Sequence, residues 1–224
     1  MNFIYVTGVL SLLIQIITGI FDIYVLTLPV SPPFFIIKEL LVLEIIVQFV
    51  EGGFYTWLIT QFQHIKNITK YRYYDWIITT PTMLLSLCIY FVFLNKSQTS
   101  PQTIYHFLIQ HGDLFFFIVL LNALMLLFGY LGEIRYLSYT FATLLGFLPF
   151  IIYFIFIYIY FAKWSEEGKM IFWIFFSIWT MYGIASLFSY RVKNIMYNIL
   201  DLFAKNLFGI CLGIVILSNQ IFLS

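Results

Sequence analysis

The sequence contains very few charged residues. Asp, Glu, Lys and Arg make up 9% of the 224 residues, against about 25% in an average soluble domain. Hydrophobic residues make up 62%, and the mean hydropathy is +0.98. This composition excludes an ordinary soluble domain and indicates a protein embedded in a lipid bilayer. A net charge of +1 provides no basic surface, so we expect no nucleic-acid partner.

Cysteine is also scarce. Cys88 and Cys211 both lie in apolar stretches, which favours free packing thiols over a disulfide or a metal site. The sequence has no paired nucleophile and base, no His–His–carboxylate spacing and no Gly-rich phosphate loop, so we expect neither an enzyme nor a metalloprotein. A few polar residues near the ends of apolar stretches are interpreted as solvated at the membrane interface: Asp22, His64, His106 and His111.

Long apolar stretches dominate the sequence. A membrane-spanning helix needs about 20 mostly apolar residues, and seven windows meet this condition: 3–27, 33–60, 71–94, 113–132, 137–162, 169–190 and 192–218. Only helices and closed barrels satisfy their backbone groups in lipid. We therefore predict an all-α, multi-pass membrane protein in which residues 1–224 form a single seven-transmembrane-helix bundle. Its outer surface would contact lipid and is compatible with a homo-oligomer.

The last window contains a lysine at membrane depth, Lys205, four residues after Asp201. In a helix these two side chains project from one face. Ionisable residues inside a membrane are costly and usually functional. Because a buried lysine loses its proton readily, it is suited to forming a Schiff base with a carbonyl group. Lys205 therefore predicts a retinal-binding protein.

The third window carries a second basic–acidic pair. On one helix face lie Arg72, Asp75 and Thr79, and on the adjoining face lie Trp76, Thr80 and Met83. Taken alone, Arg72 and Asp75 could be a structural ion pair at a helix end. The second such pair in the last window favours a functional interpretation.

The segment from Arg72 to Pro81, together with Asp201-Leu-Phe-Ala-Lys205, resembles the microbial (type 1) rhodopsins, and the resemblance extends through most of the bundle. It implies that Lys205 carries all-trans-retinal as a protonated Schiff base. Asp75 and Asp201 would be the counterions, with Arg72 and Thr79 beside them. The implied retinal pocket consists of Trp76, Thr80, Met83, Asn122, Met125, Gly146, Trp179 and Tyr182. Gly183 and Ser186 replace the usual proline and second tryptophan, which alters the expected ring end of the pocket.

The second window is unusually acidic. Glu44, Gln48, Glu51 and Tyr55 advance by four, three and four residues, which predicts one polar stripe about 16 Å long. Carboxylates along a wet pathway select cations. These glutamates and Asn206, directly after Lys205, resemble channelrhodopsins, and the compact body most resembles the group 1 viral rhodopsins. We expect a light-gated cation channel whose central gate joins Ser11, Glu44 and Asn206.

Other interpretations remain open. Glu39 is better explained as an interfacial charge, and Glu44 and Glu51 could be protonated structural residues. An outward proton pump would use Asp75 as the proton acceptor, but Ser86 stands where good pumps have a carboxylic donor. A photosensor would need a separate transducer protein.

Overall fold

The computed structural model describes residues 2–95 and 103–221, and within those ranges the chain is helical and contains no strand. The first six long helices are α1 (Phe3–Thr27), α2 (Phe35–Gln61), α3 (Thr69–Leu94), α4 (Ile104–Glu133), α5 (Tyr139–Tyr160) and α6 (Glu166–Ala185). A short 3₁₀ turn, Ala162–Trp164, follows α5. The last part of the chain runs through α7 (Tyr190–Asp201), a π-helical turn (Leu202–Asn206) and α8 (Leu207–Ile221). We call these three elements together the seventh span.

The helices confirm the predicted seven-helix bundle. The largest difference lies at α4, which begins at Ile104 rather than at residue 113. The Thr103 hydroxyl caps this helix by accepting a hydrogen bond from the His106 backbone N–H at 3.1 Å, so His106 and His111 lie in a helix. Most of the connection between α3 and α4 falls outside the described residues.

The helices form a closed ring. Each long helix packs against the next one in the chain, and the seventh span returns to contact both α1 and α2. Among the described residues, six spans are long and apolar enough to cross a membrane, and they include all of these elements except α2. The 27-residue α2 has the length of a span but contains Lys38, Glu39, Glu44 and Glu51. The protein is a multi-pass integral membrane protein.

The polarity of α1 is the reverse of that of a helix in a soluble protein. Its outward face exposes large apolar residues, namely Leu13, Ile16, Ile17 and Ile20. Its inward face buries Ser11, Gln15, Thr18 and Asp22. Polar groups in a bilayer are placed towards the bundle interior, because lipid offers them no hydrogen bonds. Asp22 is completely buried, so the expectation that it is solvated at the interface is wrong.

Candidate functional site

Lys205 lies in the interior of the bundle, surrounded by three carboxylates. Its Nζ is 2.6 Å from Oδ2 of Asp75, 3.7 Å from Oε1 of Glu51 and 4.0 Å from Oδ1 of Asp201. All four side chains are at least 98% buried. The sequence predicts Asp75 and Asp201 beside the lysine, and the structure places both there. It also brings in Glu51, which the sequence assigns to an ion pathway.

The backbone that carries Lys205 is not a regular α-helix. Residues Leu202–Asn206 form a π-helical turn, whereas the sequence predicts an uninterrupted helix. Such turns are rare and are found mostly as single-turn bulges at functional sites. The wider turn lies directly after Asp201, and it presents Lys205 and Asn206 to the bundle interior. Nothing in the residue pattern signals it.

Arg72 is bound to the seventh span rather than to its own helix neighbour Asp75. Its Nη1 is 3.3 Å from Oδ2 of Asp201, and its Nη2 donates to Oδ1 of Asn198. Two tyrosine hydroxyls also donate to Asp201, at 2.6 Å (Tyr55) and 2.7 Å (Tyr182). The structure therefore separates two sets of charges: Asp75 contacts Lys205 directly, while Asp201 is held by Arg72.

A cavity beside Lys205 is lined by residues of α3, α4, α5, α6 and the seventh span. Counting its open mouth, it encloses about 930 Å³ not filled by protein atoms, and its walls are mostly apolar and aromatic. Seven of the predicted pocket residues line it: Trp76, Thr80, Met83, Met125, Gly146, Trp179 and Tyr182. Asn122 does not line the cavity directly but supports its wall, because its Nδ2 donates to Oγ1 of Thr80 at 2.7 Å. Thr79 donates to its own helix, to the Asp75 carbonyl at 3.0 Å.

Gly183 and Ser186, the two residues that depart from the rhodopsin pattern noted in the sequence, both line the cavity. A Cβ at Gly183 would lie 2.5 Å from Cζ of Phe147, so the absence of a side chain there lets the Phe147 ring pack against α6. The Ser186 hydroxyl is 2.7 Å from the Thr143 hydroxyl of α5. Because Gly183 and Ser186 are small, α5 and α6 can pack together beside this part of the cavity. The rhodopsin pattern has a proline and a tryptophan at these two positions.

A line of buried polar side chains runs between α1, α2 and the seventh span, and we call it the polar seam. Its members are Ser11, Gln15, Thr18 and Asp22 of α1, Glu44, Gln48, Glu51 and Tyr55 of α2, and Asn198, Asp201 and Asn206 of the seventh span. Each is at most 4% exposed. The seam is distinct from the aromatic cavity, and Lys205 lies where the two meet.

The centre of the polar seam is closed by a hydrogen-bonded chain. Nε2 of Gln15 donates to Oε2 of Glu51 at 2.7 Å, and Nδ2 of Asn206 donates to Oε1 of Gln15 at 3.0 Å. The predicted contact of Ser11 with Glu44 and Asn206 is wrong. The Ser11 hydroxyl instead donates to the backbone carbonyl of Asn198 at 2.9 Å. The contact forms one helical turn further along α1, with Gln15 in place of Ser11 and Glu51 in place of Glu44.

Beyond this closure, three polar side chains of the seam have no hydrogen-bond partner in the part of the chain that the structure describes. Neither carboxyl oxygen of Asp22 or of Glu44 has a partner among the described residues, and neither polar atom of the Gln48 amide has one. Ser86 of α3 interacts with the Glu44 carboxyl, although their oxygens do not meet regular hydrogen-bond geometry. Buried polar groups are normally paired with protein or ordered water, so this region is suited to holding water.

A buried ion pair that the sequence does not predict, between Lys193 and Glu133, lies at the opposite end of the bundle. Nζ of Lys193 lies 2.6 Å from Oε2 of Glu133, with both side chains at most 4% exposed. Asn67 donates to the other Glu133 oxygen at 3.3 Å, and Lys193 lies 4.5 Å from the centre of the Tyr139 ring. The pair joins the end of α4 to α7. Because the partners are 60 residues apart, no local spacing signals the pair.

A closed seven-helix bundle, with a buried lysine among carboxylates at the end of an aromatic cavity, defines the class of the microbial rhodopsins. The profile of the bacteriorhodopsin-like protein family matches residues 2–219, and the chain belongs to this family. Members of the family bind retinal and act as photoreceptors or transporters, generally without enzymatic activity.

Individual relatives agree with this assignment. Viral rhodopsin OLPVRII is 29% identical, and the two structures superpose with a TM-score of 0.81 over 94% of this chain and 95% of that one. This likeness puts the chain close to the viral rhodopsins, while its assignment to group 1 of them stays a prediction. Rhodopsin I from Acetabularia is 19% identical, with a TM-score of 0.75 over 97% of this chain and 95% of that one, and shows the same fold.

A green-light absorbing proteorhodopsin from the gamma-proteobacterium EBAC31A08 is 25% identical over 166 residues. The match covers 63% of this chain and 59% of the proteorhodopsin. The chain thus spans less than two thirds of the length of this curated relative.

Proposed function

We propose that the protein is a light-gated cation channel that binds all-trans-retinal on Lys205. The cavity fits this cofactor: its walls are mostly apolar, Lys205 provides an amine in its lining, and Trp76 and Trp179 lie in its walls. Aromatic walls suit a flat polyene. Retinal would supply the absorption of light and the change of shape that follows it.

The carboxylates have distinct tasks in this proposal. A positive charge on the Lys205 nitrogen is stabilised by Asp75, Glu51 and Asp201, all within 4.0 Å. Asp75, at 2.6 Å, is placed to accept a proton from that nitrogen. Asp201 is less suited to this, because Arg72, Tyr55 and Tyr182 already occupy its oxygens.

The observation that carries the channel proposal is the contact between the closure of the polar seam and Lys205. Glu51 takes part in both: one of its oxygens accepts from Gln15, and the other lies 3.7 Å from Nζ. When the proton moves from the Lys205 nitrogen to Asp75, Glu51 loses the charge that holds it. The Glu51–Gln15–Asn206 chain can then separate, and water and cations can enter along the carboxylates.

A proton pump is the second candidate, and one observation favours it. A pump needs a carboxyl group that returns a proton to the Lys205 nitrogen, and Ser86 cannot provide it. Glu44 of α2 interacts with Ser86 and brings a carboxyl group to that position from a neighbouring helix. In this version Asp75 accepts the proton, Glu44 supplies the next one, and the seam stays closed to larger cations.

The cofactor assignment is tested by replacing the lysine. Lys205→Ala, expressed with added all-trans-retinal, should give a folded protein without the visible absorption band, because no amine remains to bind the aldehyde. Lys169→Ala is the matched control, since Lys169 pairs with Glu166 at the surface, and it should keep the band. A band of wild-type intensity in Lys205→Ala would contradict the assignment.

A further inference from the structure

Asp22 and Glu44 are two carboxyl groups that the proposed gating does not use. Both are completely buried, and none of their four oxygens makes a hydrogen bond to a described residue. Within the part of the chain that the structure describes, no Lys, Arg or His lies within 4.0 Å of either carboxyl, since neither takes part in an ion pair. Two ionised carboxylates in such a place would be very unfavourable.

The register of α1 against α2 puts Asp22 and Glu44 at the same level of the bundle. The hydrogen bond between Gln15 and Glu51 fixes one point of contact between these helices. Asp22 follows Gln15 by seven residues and Glu44 precedes Glu51 by seven, which is about two turns along each helix. Because consecutive helices run in opposite directions, the two steps lead to the same level. Asp22 also interacts electrostatically with Glu44.

Among the described residues, the helices around Asp22 and Glu44 contribute polar groups to their surroundings but no cation. Ser86 of α3 faces Glu44, and the Gln48 amide lies one turn further along α2 without a partner. On the seventh span, a Cβ at Gly209 would lie 2.5 Å from Oδ2 of Asp22, so the carboxyl packs against bare backbone. The lysine near this end of α2, Lys38, donates to the Leu28 carbonyl at 2.8 Å.

We propose that Asp22 and Glu44 share a single proton in the dark and form an acidic dyad. Two carboxyl groups at one site cannot both ionise without strong repulsion. One retained proton gives both groups a partner through an O–H···O⁻ bond, which is stronger than a bond between neutral groups. The remaining negative charge can accept hydrogen bonds from the Ser86 hydroxyl and the Gln48 amide.

The dyad bears on transport only if the proposed function holds. In a channel it presents one negative charge, rather than two or none, to cations that pass the central closure. In a pump it holds one exchangeable proton on the side where Ser86 offers none. Asp22 therefore becomes a functional residue of the polar seam, acting together with Glu44.

Infrared spectroscopy of the dark, retinal-loaded protein in lipid vesicles tests the dyad by counting carboxylic C=O bands. A shared proton predicts one band in the wild type, and one band, shifted in frequency, in both Asp22→Asn and Glu44→Gln. The double variant should lose it. Asp113→Asn, which removes an exposed carboxylate, is the control and should leave the band unchanged. Two independent neutral acids would instead give two bands, one of which disappears in each single variant.

A measurement on the wild type alone covers the case in which a variant fails to fold. One sample would carry carbon-13 in its aspartate carboxyl groups, and a second sample would carry it in its glutamate carboxyl groups. If the proton is shared, each label should shift the same C=O band. Separate bands that respond to one label each, or the absence of any such band, would overturn the dyad. Neither result affects the channel proposal, because photocurrents are measured independently and do not require a shared proton.

Discussion

At the scale of single residues, the site depends on the buried ion pair between Arg72 and Asp201. Asp201 is completely buried and is compensated by Arg72, the only guanidinium within 4.0 Å of it among the described residues. The same guanidinium also donates to Asn194 and Asn198, so one side chain holds α3 against α7. Breaking a buried pair by removing one partner costs more than the pair gains in stability, because the remaining charge stays buried.

Arg72→Gln should therefore destabilise the protein by about 3–5 kcal/mol, measured as a lower midpoint of thermal denaturation in detergent without retinal. The control is Lys169→Gln, which breaks a solvent-exposed pair with Glu166 and should leave the midpoint unchanged. Equal midpoints for Arg72→Gln and the wild type would mean that the Asp201 carboxylate is compensated by other groups.

Gly183→Ala should disturb the ring end of the cavity. The new methyl group would overlap the Phe147 ring, and overpacking of this kind typically costs about 1–3 kcal/mol. We expect slower formation of the pigment from added retinal and a shifted absorption maximum. Gly53→Ala, where a Cβ would meet no atom within 4 Å, should behave like the wild type. Identical absorption and formation rates in both variants would contradict the described packing.

At the scale of helices, the polar seam follows from one spacing that occurs twice. Ser11, Gln15, Thr18 and Asp22 in α1 advance by four, three and four residues, as do Glu44, Gln48, Glu51 and Tyr55 in α2. Each set lies along one helix face, and the antiparallel packing of α1 on α2 joins the two faces. The hydrogen bond between Gln15 and Glu51 forms where these two polar faces meet.

The spacing in α1 could have revealed Gln15 and Asp22 from the sequence, since it repeats the spacing used to identify the stripe in α2. The positions of Asp75 and Asp201 beside Lys205 could be predicted because each of these residues lies in a short, distinctive segment. The closure of the polar seam could not be assigned to Gln15 and Glu51 from the sequence, because helix periodicity gives the face of a side chain but not its level against a neighbouring helix. The π-helical turn at Lys205 and the Glu133–Lys193 pair also depend on contacts between distant parts of the chain.

Gln15→Leu tests the closure of the seam at this scale. The change removes the donor to Glu51 and the acceptor for Asn206, so the closed state loses two hydrogen bonds, each worth about 0.5–1.5 kcal/mol. We expect photocurrents that decay several-fold more slowly after the light is switched off. Gln110→Leu, on the exposed surface of α4, is the control. Unchanged closing in Gln15→Leu would show that this chain is not the gate.

At the scale of the whole molecule, the bundle keeps the aromatic cavity apart from the polar seam. The aromatic cavity lies against α3, α4, α5 and α6, whereas the polar seam lies between α1, α2 and the seventh span. In the proposed function, Lys205 is the point at which light absorption in the cavity acts on the seam. The same arrangement would serve a proton pump if only the proton, and not larger cations, crossed the closure. A channel and a pump built on this bundle would therefore differ in which ions pass through it.

The light-induced current as a function of membrane voltage is the most direct test of the channel. Whole cells expressing the protein with all-trans-retinal would be recorded under several sodium and proton gradients. A passive pathway predicts a current that reverses sign, at a voltage that moves with the cation gradient. A current that flows in one direction at every voltage and gradient would contradict the channel and favour the pump that uses Asp75 and Glu44.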